Sequence, residues 1–224
     1  MSSDDTVSKN NGNDTENAFT SLKDGSTNST AIAAYYDDWA ETYDATLKNW
    51  DYQAPVNASK TLCEYLKSGD SVLDVGCGTG MFGKALSGRL DCQIVGIDIS
   101  SASLEKAEKQ ACYASLQRHD LQSPPLPLAN NTFEAAACVG VMTYIEDAPS
   151  LFVDLCRIVR AGGYILFTQR DDLWEQKDFN ALLDDFETRK LWKPLSVSNA
   201  APYLPKNDEF SDTIGVIQVL CKVI

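Results

Sequence analysis

Basic residues and histidine are scarce in this chain. Lysine and arginine total 19 against 32 aspartates and glutamates, a formal net charge of −13 over 224 residues, and the single histidine is His119. A surface of that sign repels phosphate backbones and anionic headgroups, which argues against nucleic acid or a membrane as the main partner. Long apolar runs are missing too, since no window approaches the ~20 apolar residues needed to span a bilayer. The polar, acidic N-terminus carries no evident secretory signal or Arg-rich transit peptide, so a cytoplasmic protein is expected. Cysteine is present but without pattern: Cys63, Cys77, Cys92, Cys112, Cys138, Cys156 and Cys221 show no C-x-x-C spacing. An odd count in apolar settings implies reduced core thiols rather than a disulfide framework or a zinc site, and no metal is expected.

What is present divides into a tail and a globular domain. Residues 1–30 are rich in Ser, Thr, Asn and Asp, with Val7, Phe19 and Leu22 as the only large apolar residues besides Met1. Such a segment cannot bury enough surface to offset chain entropy and reads as a disordered polar tail. From Ala31 to Ile224 a single domain is expected, with a helical lid over 31–68 and an α/β core over 69–224. Apolar periodicity predicts helices over Ala31–Leu47, Pro55–Leu66, Met81–Leu90, Leu104–Tyr113 (capped by Ser101) and Phe179–Phe186. A further helix carries Leu151, Leu155, Ile158 and Val159 on one face and is stopped by Ala161-Gly162-Gly163. Strands are predicted over Val72–Val75, Gln93–Ile99, Ser115–Arg118, Phe133–Val141, Tyr164–Thr168, Leu191–Val197 and Ile214–Val223. Alternation of the two kinds implies a doubly wound, seven-stranded, mostly parallel sheet with helices on both faces. Its ligand belongs at the carboxyl ends of the central strands.

The stretch Val72-Leu73-Asp74-Val75-Gly76-Cys77-Gly78-Thr79-Gly80 is the strongest local signal. An apolar strand holds one carboxylate, breaks into alternate glycines and leads into a helix, the unit that brings backbone N–H groups up to a ligand. Gly78-Thr79-Gly80-Met81-Phe82-Gly83 also spells G-x-G-x-x-G, and Asp98 follows at the ~20-residue distance of a ribose-binding acid. A nicotinamide oxidoreductase is therefore one alternative. Against it, Asp74 sits inside the strand, no Tyr-x-x-x-Lys pair is present, and no Gly-Lys-Ser/Thr follows the turn to make a phosphate-cradling loop. The plain structural alternative is a tight turn beside a satisfied buried aspartate.

Val72 to Gly80 followed by Ile94-Val95-Gly96-Ile97-Asp98-Ile99-Ser100 resembles the first two motifs of the class I S-adenosylmethionine-dependent methyltransferases. Arg118-His119-Asp120-Leu121, Leu128 to Glu134 and Val159 to Leu166 extend the likeness in the right order. Within that superfamily of type 11/25-like enzymes, Tyr36 to Asp44, Tyr52-Gln53-Ala54-Pro55 and Phe167-Thr168-Gln169-Arg170 resemble the Williams–Beuren-region methyltransferase-like proteins. The resemblance implies a Rossmann-like fold and S-adenosyl-L-methionine as cofactor. It places Gly76, Gly78 and Gly80, where a Cβ would block approach, around the methionine part together with Cys77, and Asp74 near its ammonium group. Asp98 would accept from both ribose hydroxyls, Ile99 would pack on adenine, and His119, Asp120 and Leu121 would border it. Gly140 and Val141 would line the reacting methyl, while Tyr36 and Tyr43, seven apart and so on one helix face, would close as a lid.

On the acceptor side the candidates are Trp39, Tyr52, Met142, Tyr144, Arg170 and Trp174. Arg170 would hold a carboxylate as a bidentate pair, or else pair with a neighbouring aspartate. No residue declares itself a dedicated base, and His119 reads as structural or cofactor-adjacent. The expectation is methyl transfer to a small molecule, a thioether- or carboxylate-bearing acid first, by a monomer or weak homodimer. A cofactor-binding protein without turnover is the alternative of another class.

Overall fold

The computed structural model describes residues 22–23, 25–211 and 213–224. Most of the expected tail therefore lies outside the described residues. From Leu22 onward the chain belongs to the domain: Leu22 is buried, and helix α1 already begins at Ser29. The elements are α1 (Ser29–Trp39), α2 (Tyr43–Asn49), α3 (Ala54–Cys63), β1 (Ser71–Val75), α4 (Met81–Ser87), β2 (Gln93–Asp98), α5 (Ser101–Glu108) and β3 (Tyr113–Arg118). They continue with β4 (Phe133–Cys138), a 3-10 turn (Met142–Tyr144), α6 (Ala148–Ile158), β5 (Val159–Arg170), α7 (Asp171–Gln176), α8 (Phe179–Thr188), β6 (Trp192–Val197), β7 (Ala201–Pro202) and β8 (Gly215–Val223).

The sheet runs β3-β2-β1-β4-β5-β8-β6, with β7 paired to β8. Strands β1 to β5 are parallel, and β8 lies antiparallel between β5 and β6. Among the described residues the sheet thus has eight strands where seven are expected, because Ala201–Pro202 adds a two-residue pairing too short to leave a period-2 pattern. The chain leaves β1 towards β2 and β3, then crosses to β4 on the other side. That reversal opens a crevice at the carboxyl ends of β1 and β4, where ligands bind in open α/β sheets.

Period-2 alternation divides the core in two. Val72, Ile94, Ala135, Ala137, Leu166 and Leu220 meet α3 and α4 through Ala58, Leu62, Phe82 and Leu86. Leu73, Ala136, Ile165, Phe167 and Cys221 face the other way onto α6 and α8. On α6, Leu151, Phe152, Leu155 and Ile158 are fully buried, each contributing about 1.5–3 kcal/mol of transfer free energy. A third cluster, rich in tyrosine and tryptophan, joins α1 and α2 to the strand ends.

Three local expectations are corrected. The single helix over 31–47 is two helices, broken over residues 40–42. The cap of α5 is Ser100, in extended conformation with its hydroxyl accepting from the Ser103 N–H at 3.0 Å, so the helix starts at Ser101 and ends at Glu108. Helix α6 stops at Ile158, and Ala161-Gly162-Gly163 belongs to β5, where a Cβ on Gly163 would lie 2.5 Å from the Glu134 carbonyl oxygen.

Candidate active site

The turn after β1 is built by backbone that side chains resist. Gly76, Gly78 and Gly80 have φ of 68°, 52° and 90°, in the left-handed region that glycine alone enters at little cost. Their surroundings differ. A Cβ on Gly76 would lie 2.4 Å from Val141 Cγ2, and one on Gly80 would press on Tyr113 and Ala107, whereas one on Gly78 meets nothing within 4 Å. Gly78 therefore borders open space. That space is a cavity lined by Tyr36, Tyr43, Gly76, Gly78, Asp98, Ile99, Asp120, Leu121, Gly140, Val141 and Tyr144 among others. A second, smaller cavity shares Tyr43, Gly76, Gly78 and Val139 with it and reaches Tyr52, Asp74 and Cys77.

Asp74 is almost completely buried, flanked in register by Gly96 on β2 and Ala137 on β4. These small neighbours leave room for the Tyr113 ring; a Cβ on Gly96 would stand 3.0 Å from it. The Tyr113 hydroxyl donates to Asp74 at 2.6 Å. Burial pushes the Asp74 carboxyl up to about 7, against the pull of that hydrogen bond. Asp98 ends β2 and accepts from the Gly78 N–H and the Ser100 N–H, each at 2.8 Å. A carboxylate offers about four lone-pair sites, so both oxygens retain accepting capacity. Burial raises the Asp98 carboxyl above its ordinary range, partly offset by these N–H groups. Asp120 accepts from the Gln122 N–H at 2.9 Å through one oxygen.

Helices α1 and α2 roof the site and are tied to it by acids. Asp37 accepts from the Ser100 hydroxyl at 2.6 Å and the Ala102 N–H at 3.1 Å, Asp44 accepts from the Thr79 hydroxyl, and Glu41 pairs with Lys106. Tyr36 and Tyr43 meet edge to face at 6.0 Å although they stand on different helices, and the Tyr36 hydroxyl donates to that of Tyr144 at 2.8 Å. Burial pushes the phenols of Tyr36, Tyr43, Tyr52 and Tyr144 well above the ordinary value.

Several expected residues are elsewhere. Gly80 caps α4 and lines neither cavity. The His119 ring lies beside Gln117 at the surface, and only its backbone N–H, bonded to the Asp98 carbonyl, supports the site. Trp39 packs behind Tyr36 and Tyr43, Met142 is fully buried in the core, and Trp174 stacks on Phe179 with its N–H donating to Asn180. Arg170 is 3 % exposed and engaged: its fork grips Asp172 at 3.0 and 2.6 Å while Nη1 donates to the carbonyls of Leu22 and Lys23. It is therefore not an open carboxylate clamp. Unforeseen contributors are Asp37, Asp44 and Gln122, whose amide donates to the Thr27 and Tyr144 carbonyls, and Thr168, whose hydroxyl accepts from Gly140 N–H at 2.9 Å. Asp37, Asp44 and Thr168 lie in stretches that carry the family resemblance and Gln122 directly follows Asp120-Leu121, but nothing in the sequence marked the contacts they make.

The fold and the glycine cradle define an open α/β protein that binds a ribose-bearing cofactor at its switch point. Residues 73–167 match the methyltransferase domain family. Methyltransferase-like protein 27 of Homo sapiens is 30 % identical over 167 residues, covering 72 % of this chain and 68 % of that protein. The ubiquinone biosynthesis O-methyltransferase of Albidiferax ferrireducens is 30 % identical over 105 residues, 45 % of this chain and 41 % of that one. Among solved structures, the [4+2]-cyclase SpnF superposes with a TM-score of 0.70 at 15 % identity, over 89 % of this chain and 98 % of the other. The chain belongs to the class I S-adenosylmethionine-dependent methyltransferases, and S-adenosylmethionine is its cofactor. The residues fit that group: the open space at Gly78 and the accepting capacity of Asp98 and Asp120 match an amino-acid part and an adenosine part.

Proposed function

We propose that this enzyme methylates a small molecule, and that Asp98 and Asp120 hold the nucleoside part of the cofactor while Gly76 and Gly78 admit its methionine part. The observation that carries the reading is the roof. Asp37 and Asp44 pin α1 and α2 onto the loops that line the cavity, so the chain's own helices cover the site. A covered pocket at the strand ends suits a small molecule, and the net charge of −13 is unsuited to nucleic acid. Of the two acceptor groups suggested by the sequence, a thioether fits a chamber of tyrosines, whereas a carboxylate loses its partner because Arg170 is engaged.

The cofactor supplies a methyl group already activated on a sulfonium, so the protein contributes alignment and electrostatics. Gly140 is held by Thr168, and Tyr52 stands against it, its hydroxyl 2.7 Å from where a Cβ would be. Tyr36 and Tyr144, bonded to each other, join the roof to the segment after β4.

Titration calorimetry with S-adenosylmethionine and with NAD tests the cofactor, and release of S-adenosylhomocysteine across a panel of small acceptors tests the reaction. Tight NAD binding without S-adenosylmethionine binding would overturn the reading; binding with no release would leave a protein without turnover. Asp98→Ala is expected to weaken S-adenosylmethionine more than about tenfold, ~1.4 kcal/mol, and an unchanged affinity would show that Asp98 does not hold the ribose.

A further inference from the structure

The chamber contains acids and phenols but no cation. Among the described residues lining the two connected cavities there is no lysine, arginine or histidine, while Asp74, Asp98 and Asp120 all line them. The nearby cations are committed elsewhere. Arg170 is gripped by Asp172 and by two backbone carbonyls, and Lys177 Nζ donates to the carbonyls of Thr143 and Ile145. An anionic acceptor entering here would lose its hydration and find no cationic side chain in the lining to replace it, a costly transfer.

The same walls lack a base. Tyr36, Tyr43, Tyr52 and Tyr144 present phenols that burial keeps protonated at neutral pH. In the proposed site Asp98 and Asp120 are taken by the nucleoside part of the cofactor, and Asp74 accepts from the Tyr113 hydroxyl. The ring of the one histidine lies outside, beside Gln117. Nothing positioned in the chamber is suited to remove a proton from an acceptor.

We propose that the acceptor is an uncharged small molecule whose own lone pair attacks, a thioether sulfur or a tertiary-amine nitrogen, and that the product leaves as a cation. This rests on the reading of the site as an S-adenosylmethionine pocket. The bond between the methyl carbon and the donor sulfur breaks and its electron pair stays on that sulfur, which becomes a neutral thioether. The acceptor's lone pair makes the new bond to carbon, and no proton is released. One positive charge enters with the donor and one leaves on the product. The tyrosine rings therefore face a single positive charge throughout, and π faces attract such a cation.

Matched benzyl probes test the proposal on the full chain: benzyl methyl sulfide, N,N-dimethylbenzylamine, phenylacetate and 4-methylphenol, with S-adenosylmethionine calorimetry run in parallel. The sulfide or the amine is expected to exceed phenylacetate and 4-methylphenol by at least about tenfold in kcat/KM. A rate flat between about pH 6.5 and 9 identifies the sulfide as acceptor type, and one that follows the free-base fraction identifies the amine. Binding supplies a readout apart from turnover: with S-adenosylhomocysteine present, benzyltrimethylammonium should bind at least about tenfold tighter than its uncharged isostere neopentylbenzene. Preference for phenylacetate or 4-methylphenol, inertness of both sulfide and amine while S-adenosylmethionine binds, or equal affinity for charged and uncharged isosteres would each overturn the acceptor class. Failure of S-adenosylmethionine itself to bind would overturn the cofactor reading and this proposal with it.

Discussion

Gly76 and Gly78 share a left-handed conformation and differ in what stands beside them, so replacing each by alanine separates folding from binding. At Gly78 the new Cβ has open space, and the cost is backbone strain of about 1–2 kcal/mol. Gly78→Ala should therefore remain folded in urea titrations yet lose at least about tenfold in S-adenosylmethionine affinity, because the methyl group enters the cavity. Gly76→Ala adds a clash with Val141 and should lose about 2–4 kcal/mol of stability. The opposite order of stabilities would show that the loop relaxes around Gly76. Asp74 makes a pH prediction. Its carboxyl is raised from 3.8 to about 7 by burial, so between those values the native state holds a proton that the unfolded chain releases. Stability is then greatest near the acid end of this window and falls as pH rises through about 7. Asp74→Asn should flatten that slope in urea midpoints measured from about pH 4 to 8; an unchanged slope would show that another group sets it. The sequence already marked Asp74, Gly76 and Gly78, since a carboxylate within an apolar strand followed by alternate glycines is a local pattern. Which glycine faces open space was not legible, because the atoms that decide it, on Val141, Tyr113 and Ala107, come from other elements.

Among elements, the roof is held both by an aromatic cluster and by polar ties. Helices α1 and α2 and the turn between them reach the core loops through Asp37, Glu41 and Asp44, all exposed residues that accept from two hydroxyls, an N–H and one lysine. Asp37→Ala combined with Asp44→Ala should loosen this layer by about 1–3 kcal/mol. Amide exchange within α1 should then speed up while that of β1 and β4 stays unchanged, because the central strands retain their packing. Equal protection of α1 in both proteins would show that the aromatic cluster alone holds the roof. The break over residues 40–42 escaped the sequence, since Ala40-Glu41-Thr42 contains neither glycine nor proline and the apolar spacing continues across it. The break does not separate Tyr36 from Tyr43; it brings them together from two helices. The cap of α5 was placed one residue late for a different reason. Ser100 and Ser101 carry the same signal, and only the extended backbone at Ser100 decides between them.

For the whole molecule, an excess of 13 negative charges opposes compaction. Salt raised from about 0.01 to 0.15 M shortens the screening length from about 30 to 8 Å. Stability should rise on the order of 1 kcal/mol over that range, read as a higher Tm and urea midpoint; a fall would mean that attractive pairs such as Glu41–Lys106 dominate instead. The sequence by itself determined the architecture, because parallel strands covered on both faces and amphipathic helices write periodic apolar patterns that need no partner to be read. It also determined the cradle, whose strand, glycines and following acid lie within one βαβ unit. Only the tertiary structure decided the acceptor side. Arg170, Trp174 and Met142 stand near strand ends in the sequence, yet Asp172, Phe179 and the core claim them. The chamber wall is assembled instead from Tyr36, Tyr43, Tyr52 and Tyr144, brought together from separate elements. Contacts between residues so far apart leave no period in the chain, and they exist only once the sheet has set the ends of β1, β4 and β5 side by side.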